Sequence, residues 1–294
     1  GDDALPTLAS RTGLFAEIEP HQKERLIRAL RTKGHIVGYL GDGINDAPAL
    51  QAADVGISVD SGVDVAKEAA DIVLMDKNFD VLLQGIEEGR RTYQNTLKYI
   101  FITTSANFGN MFSLAGVSLF LSYFPLLPKQ ILLLNFLSDI PALFIASDRV
   151  DDEMLQRPQK WNIGLIKRFM YVFGAQSSVF DYLTFGLLLL VFKVQASEFR
   201  TAWFIESVLT EVLILLIIRT SRRAWQSRPS PWLLWSGVSV IVITLTLPYL
   251  PVAPWLGFEP LPLPLLAGIG FIALMYGGLS ELLKSRFLEK SRTG

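Results

Sequence analysis

The chain has 294 residues, 50% of them hydrophobic, and its 27 basic against 28 acidic side chains exclude a strong net charge and so give no sign of nucleic acid or acidic partners. With no cysteine there is no disulfide framework and no thiolate metal site, which fits a reducing cytosolic face. Charges are dense and mixed up to about residue 94 and then thin into clusters between long apolar stretches, so a soluble part over residues 1–95 and a membrane part over 96–294 are expected. The opening Gly-Asp-Asp-Ala-Leu-Pro has neither an initiator Met nor a basic-then-apolar targeting pattern, and reads as the tail of a longer chain.

In chain order, residues 23–31 carry apolar side chains at helical spacing, and residues 36–40 form a short β-branched run. That run ends in Gly41-Asp-Gly-Ile-Asn-Asp-Ala-Pro-Ala-Leu50, a strand, a turn and then a helix with Pro48 in its first turn. Residues 55–59 and 72–75 are further strand-like runs, with a helix over 63–70 between them. Alternation of this kind predicts an α/β fold in which buried parallel strands are covered by helices. Such sheets hold ligands beyond the carboxyl ends of their strands, where Asp42 is expected.

From residue 79 helical periodicity runs without a proline to about 120, predicting one long helix from cytosol into bilayer. A crossing needs roughly 20 mostly apolar residues. Six candidate spans satisfy this: 99–120, 129–146, 169–192, 202–218, 232–250 and 261–283. Basic residues cluster after the second span (Arg149, Arg157, Lys160, Lys167, Arg168), the fourth (Arg219, Arg222, Arg223, Arg228) and the sixth (Lys284, Arg286, Lys290, Arg292). The positive-inside rule then puts the soluble part and the C-terminus in the cytoplasm. Trp203, Trp232, Trp235 and Trp255 near span ends are expected to be interfacial anchors.

The Gly41–Leu50 motif, followed by Asp54-Val-Gly-Ile-Ser and Ala66-Lys-Glu-Ala-Ala-Asp-Ile-Val-Leu, resembles the HAD-like phosphorylation domain of P-type cation-transporting ATPases. Pro20-His-Gln-Lys23 is similar to the segment that supplies that family's phosphate-binding lysine, and Glu87-Glu-Gly-Arg90 to the start of its stalk helix. Thr104-Ser-Ala-Asn-Phe-Gly-Asn110, Leu133-Leu-Asn-Phe-Leu-Ser-Asp139, Arg157-Pro-Gln-Lys-Trp161 and Ser178-Val-Phe-Asp-Tyr-Leu-Thr-Phe185 resemble most the magnesium-transporting branch.

The resemblance implies a phosphoryl-transfer site in which an aspartate elsewhere on the pump accepts the γ-phosphoryl of ATP. A catalytic Mg²⁺ is then held by Asp42 and Asp46, a role suited to hard oxygen ligands. Lys23 would neutralise the transferring phosphoryl, Asn45 would donate to it, Asp46 would hold Lys23 in place, and Gly41 and Gly43 would admit the backbone closely. The alternative is that Asp42, Asn45 and Asp46 are turn formers only. The family's Asp-Lys-Thr-Gly-Thr segment, nucleotide-binding domain, actuator loop and first four membrane helices are not in this sequence, so the missing N-terminal part of the pump is an expected partner and ATP would be bound mainly there.

A second constellation lies in the spans. Asn107 and Asn110 are three apart, and Asn135 and Asp139 four apart, so each pair shares one helix face and together they are candidate ligands of a transported cation. Asp139 is a functional candidate by default, since polar groups within a bilayer are costly, and Pro141 beside it can free a backbone carbonyl. The asparagines could instead be interhelical hydrogen-bond glue. Calcium-pump relatives carry a glutamate at the position of Asn110, and the neutral amide points to Mg²⁺ rather than Ca²⁺ as cargo. Asp181, Glu206 and Glu211 are buried acids by position, but the two glutamates diverge by about 140° on their helix and need not cooperate. Three functions stay open: an ATP-driven Mg²⁺ pump segment of the bacterial plasma membrane, a calcium or other cation pump segment, and a non-catalytic membrane remnant.

Overall fold

Val55-Gly-Ile-Ser-Val59, a β-branched run, becomes the central strand of a three-stranded sheet ordered β1-β2-β3 in the computed structural model of the chain. The structure describes residues 4–76, 78–156 and 161–292. Arg157, Lys160 and the first three residues lie outside the described residues, as do the side chains of Lys290 and Arg292. The chain divides into two compact units, Gly1–Gly89 and Arg90–Gly294, slightly ahead of the expected 95/96 boundary.

In the first unit, helices α1 (Leu5–Arg11) and α2 (Pro20–Thr32) precede β1 (Gly38–Leu40). Pro20 suits the first turn of α2, where a missing N–H costs nothing, and the Glu19 N–H is taken by Gln22 Oε1 at 3.0 Å. A short 3₁₀ turn, Ile44–Asp46, leads into α3 (Ala47–Ala52), then β2 (Val55–Val59), α4 (Asp64–Ala69) and β3 (Ile72–Leu74). Both strand pairs are parallel, with Tyr39 opposite Gly56 and Ser58 opposite Val73, because α3 and α4 carry the chain back to the same end each time. A Cβ at Gly56 would stand 2.8 Å from the Leu50 carbonyl oxygen, so glycine is what lets α3 lie directly on β2.

The expectation of uniformly buried strands holds only for β2. A three-stranded sheet has one interior strand, and its edges leave Leu40 36% and Ile72 49% exposed. Strand β1 is also shorter than expected: the Val37 N–H is drawn to the Asp54 carboxylate at 2.9 Å before the ladder begins.

The second unit, from Arg90, is helical. It takes in most of helix α5 (Phe79–Val117), followed by α6 (Pro128–Leu143), the short α7 (Asp152–Leu155), α8 (Ile163–Gly186), α9 (Ala196–Ile218), α10 (Pro231–Thr246), the short α11 (Ala253–Leu256) and α12 (Leu263–Arg292). Helix α8 continues as a π-helical turn, Leu187–Phe192, closed by Lys193 at φ 51°. Among the described residues 5 helices are long and apolar enough to cross a membrane, not the six expected. The one that falls short is the 99–120 segment of α5, helical to Val117, because Thr103, Thr104, Ser105, Asn107, Asn110 and Ser113 dilute its apolar face.

Helix α9 is the centre of the bundle: 78% of its apolar stretch is buried, against 33–39% for the other spanning candidates. It begins at Ala196, earlier than expected, which carries Trp203 into the interior at 1% exposure. Trp203 is therefore a core residue and not an interfacial anchor, whereas Trp232, Trp235 and Trp255 stay 69%, 66% and 72% exposed. Helices α5 and α8 approach at two glycines. A Cβ on Gly109 would lie 2.8 Å from Ser177 Cβ, and one on Gly174 would lie 2.5 Å from Phe108 Cδ1.

Charges counted as loop charges in the sequence also fold inward. Arg219 is 1% exposed and Lys284 3%, and Lys98 at the charge boundary is 4%. Asp148, after α6, gathers two of them: Arg219 Nη1 reaches its carboxylate at 3.2 Å and Lys98 Nζ at 3.3 Å, while the Ser230 N–H donates at 3.0 Å. Arg219 also donates to the Ser227 carbonyl. Asp151 accepts from Thr220 Oγ1 and the Ser221 N–H, both at 2.8 Å, and although burial opposes it these bonds hold its carboxyl below the usual range. One loop thus pins α5, α9 and α10 together.

Candidate functional site

Strand β1 delivers Gly41 and Asp42 at its carboxyl end, and the turn that follows folds Asp46 back beneath them. Asp46 is 8% exposed and its carboxylate accepts from three donors. Lys23 Nζ from α2 and the Tyr39 hydroxyl from β1 both donate to Oδ1 at 2.7 Å, and the Gly43 N–H donates to Oδ2 at 3.2 Å. Gly41 has no room for a side chain, since a Cβ there would meet Asp46 Cβ at 2.6 Å and Tyr39 Cε1 at 3.0 Å. The Asp42 carbonyl accepts from the Val63 N–H at 3.0 Å, tying the loop to the start of α4.

Electrostatics follow from these contacts. Burial pushes the Asp46 carboxyl up, but the bonds from Lys23, Tyr39 and Gly43 outweigh it and leave the group below its ordinary value. The hydrogen bond to Asp46 raises Lys23 against the opposing effect of burial. Tyr39 is pushed up to about 12, by burial first and by Asp46 next, so its hydroxyl stays a donor at physiological pH.

Of the residues singled out in the sequence, the structure brings Lys23, Asp46, Gly41 and Gly43 together; Asp42 and Asn45 stand exposed on the same turn. With both Asp46 oxygens engaged, Asp42 is the carboxylate open to a hard cation, and a single carboxylate with waters and phosphate oxygens is the donor set Mg²⁺ takes. Among the described residues no three His, Asp or Glu side chains converge as a ready-made metal cluster. Tyr39 was not singled out: a tyrosine in a strand gives no signal of whether its hydroxyl has a partner.

In the second unit Asn107 from α5, Asn135, Ser138 and Asp139 from α6, and Glu211 from α9 line one cleft of about 250 Å³. Asn110 joins it through Glu211, donating from Nδ2 to Oε1 at 2.6 Å. A smaller cavity of about 30 Å³ continues past Asn107, Asn110 and Asn135 to Trp203 and Ser207. Asn107, Asn135 and Asp139 are exposed, but on the shared cleft, not on divergent faces. Glu211 and Asp139 both line it, which gives the cleft two acids as well as its amides.

The two glutamates of α9 diverge as expected. Glu206 faces Asp181 of α8, whose oxygens accept from Ser113 Oγ at 2.5 Å and Trp203 Nε1 at 2.9 Å. Sequence alone left the role of Glu211 open. Helical phase separates it from Glu206, but only the packing of α9 against α5 and α6 shows that its phase is the one facing Asn110.

The sequence that carries these two arrangements, a lysine-braced acidic turn on an α/β unit and an amide-and-acid cleft in an apolar bundle, is similar to known families. The family model for the cation transporting ATPase C-terminus matches residues 123–286, and that for haloacid dehalogenase-like hydrolases matches residues 23–86. The chain belongs to the cation-transporting P-type ATPases. Magnesium-transporting ATPase, P-type 1, of Salmonella typhimurium is 46% identical over 98% of this chain and 33% of its own length, and the protein of that name from Escherichia coli (strain K12) gives the same values. Calcium-transporting ATPase 1 of Bacillus cereus is 37% identical over 68% of this chain and 22% of its own length. This P-type ATPase chain therefore spans 33% of the length of the magnesium-transporting relatives it matches.

Proposed function

We propose that this chain is the part of an ATP-driven pump that supplies the metal-binding half of the phosphorylation site and part of the membrane path, and that the pump moves Mg²⁺ across the bacterial plasma membrane. The observation that carries the reading is the cleft on which Asn107, Asn135, Asp139 and Glu211 converge from three helices. Two carboxylates balance a divalent charge. Neutral amides around them suit a small cation that dehydrates reluctantly and keeps some of its waters.

At the soluble site Lys23 neutralises charge on the transferring phosphoryl group, Asn45 donates to one of its oxygens, and Asp46 fixes Lys23. A catalytic Mg²⁺, when bound, is held through Asp42 and supplies charge neutralisation between the phosphoryl oxygens and the protein; Asp46 contributes to that shell by orienting its neighbours. ATP itself is bound mainly by the part of the pump outside this chain. The basic clusters that follow alternate spans support a cytoplasmic soluble unit and C-terminus, with α5 serving as the remaining crossing.

The test uses the complete pump in cells that depend on it for magnesium. Asp139→Ala and Glu211→Ala are expected to abolish Mg²⁺ uptake while phosphoenzyme still forms, and Asp42→Ala to abolish phosphoenzyme. Normal uptake in both cleft variants would move the ion path elsewhere. Uptake of Ca²⁺ in place of Mg²⁺ by the parent would replace the cargo and keep the site.

A further inference from the structure

The Asp46 carboxylate is held by donors from three separate pieces of chain, and the sequence pattern accounts for only two of them, Lys23 and the glycine turn. The third is the Tyr39 hydroxyl, at 2.7 Å from the same Oδ1 that takes Lys23. We propose that Tyr39 is a positioning residue for phosphoryl transfer, which fixes the Asp46 carboxylate so that Lys23 is presented to the phosphoryl group in one orientation. The inference rests on reading this turn as a phosphorylation site.

A carboxylate bound by one lysine alone can rotate about Cβ–Cγ and exchange its oxygens, and a flexible ammonium follows it. Tyr39 removes that freedom because the strand fixes its backbone and the ring is wedged against Gly41, where a Cβ would come within 3.0 Å of Tyr39 Cε1. With Oδ1 shared between Tyr39 and Lys23 and Oδ2 held by the Gly43 N–H, the plane of the carboxylate is defined by three donors. Lys23 then uses one N–H on Asp46 and keeps two for phosphoryl oxygens. Phenylalanine would fill the same space and pack on Gly41, but it would leave Oδ1 to Lys23 or to water. Precise placement of a charged donor before reaction is the kind of effect felt in the transition state and not in nucleotide binding.

The experiment is Tyr39→Phe in the complete pump, with phosphoenzyme formation from ATP, the KM for ATP and inhibition by orthovanadate measured beside an Asp42→Ala control. The expected result is a fall of about tenfold in the rate of phosphoenzyme formation, the worth of one hydrogen bond to a charged group, and a similar rise in the vanadate concentration for half inhibition. The KM for ATP should stay unchanged. Parent-like rate and vanadate sensitivity in Tyr39→Phe would overturn the proposal. So would a fall in rate with parent-like vanadate sensitivity, which would mean only that less of the pump is folded. If Asp42→Ala still forms phosphoenzyme, the phosphorylation-site reading itself has failed; if Asp42→Ala is dead and Tyr39→Phe is normal, only the role of Tyr39 has.

Discussion

Replacing Asp148 by alanine should be among the most damaging single changes in the helical unit, although Asp148 touches neither candidate site. Its carboxylate is 2% exposed and is the acid shared by two cations that are themselves buried, Arg219 at 1% and Lys98 at 4%. In the variant Lys98 keeps Asn95 Oδ1 at 3.0 Å and the Arg149 carbonyl at 2.9 Å, and Arg219 keeps the Ser227 carbonyl, but both lose their counter-charge. Removing one partner of a buried ion pair costs about 3–5 kcal/mol, because the other is left charged and uncompensated. At about 2–4 °C per kcal/mol for a unit of this size, the melting temperature should fall by roughly 6–20 °C. The assay is thermal unfolding of the purified chain in detergent, followed by near-ultraviolet circular dichroism, with Asp148→Asn as a shape-preserving companion. Adding Arg219→Met to Asp148→Ala should recover part of the loss, since an apolar replacement removes the stranded charge. A fall below about 0.5 kcal/mol, the range of an ordinary surface change, or a double variant no better than the single, would refute the claim that charge compensation holds this corner together.

At the soluble site, Asp46 binds its proton less readily when folded, so its stabilising contribution is complete above about pH 4 and is lost as acid protonates it. Lys23, shifted upward, contributes below about pH 10 and loses that contribution as alkali removes its proton; hydrogen exchange of α2 amides should report both limbs, and Asp46→Asn should erase the acid one. Gly174→Ala puts a Cβ 2.5 Å from Phe108 and 3.2 Å from the Ser105 carbonyl, and should destabilise the α5–α8 contact by about 1–3 kcal/mol in the same melting assay, whereas Gly186→Ala, with open space around it, should not. Trp203→Phe strips a donor from buried Asp181 and is expected to cost about 1–3 kcal/mol; an unchanged melting temperature would mean that the carboxylate finds another donor. Leu97→Pro, in the interior of α5, should leave ATP hydrolysis by the complete pump running without Mg²⁺ uptake, and coupled uptake in the variant would dismiss α5 as the carrier of coupling.

Sequence by itself settled what depends on local pattern. The β-branched runs around Ile57 and Val73, the Gly41–Leu50 turn and the apolar lengths of α6, α8, α9, α10 and α12 are written in spacing and composition, because strand alternation, turn residues and bilayer thickness are local constraints. The resemblance of Pro20-His-Gln-Lys23 and of the Gly41–Leu50 turn to family segments also named Lys23 and Asp46, and the structure brings them to 2.7 Å. Tertiary structure decided what depends on helical phase and on neighbours distant in the chain. Glu211 faces the asparagine cleft and Glu206 faces Asp181 only because α9 is wrapped by the rest of the bundle and each phase meets a different partner. Trp203, Arg219 and Lys284 look like interface and loop residues until that packing buries them. The Tyr39 hydroxyl meets Asp46 only because the turn folds back under its own strand, seven residues on. Hydrogen bonds are short-ranged and directional, so a pattern along the chain can name a donor but cannot choose its acceptor; that choice is made when the elements pack.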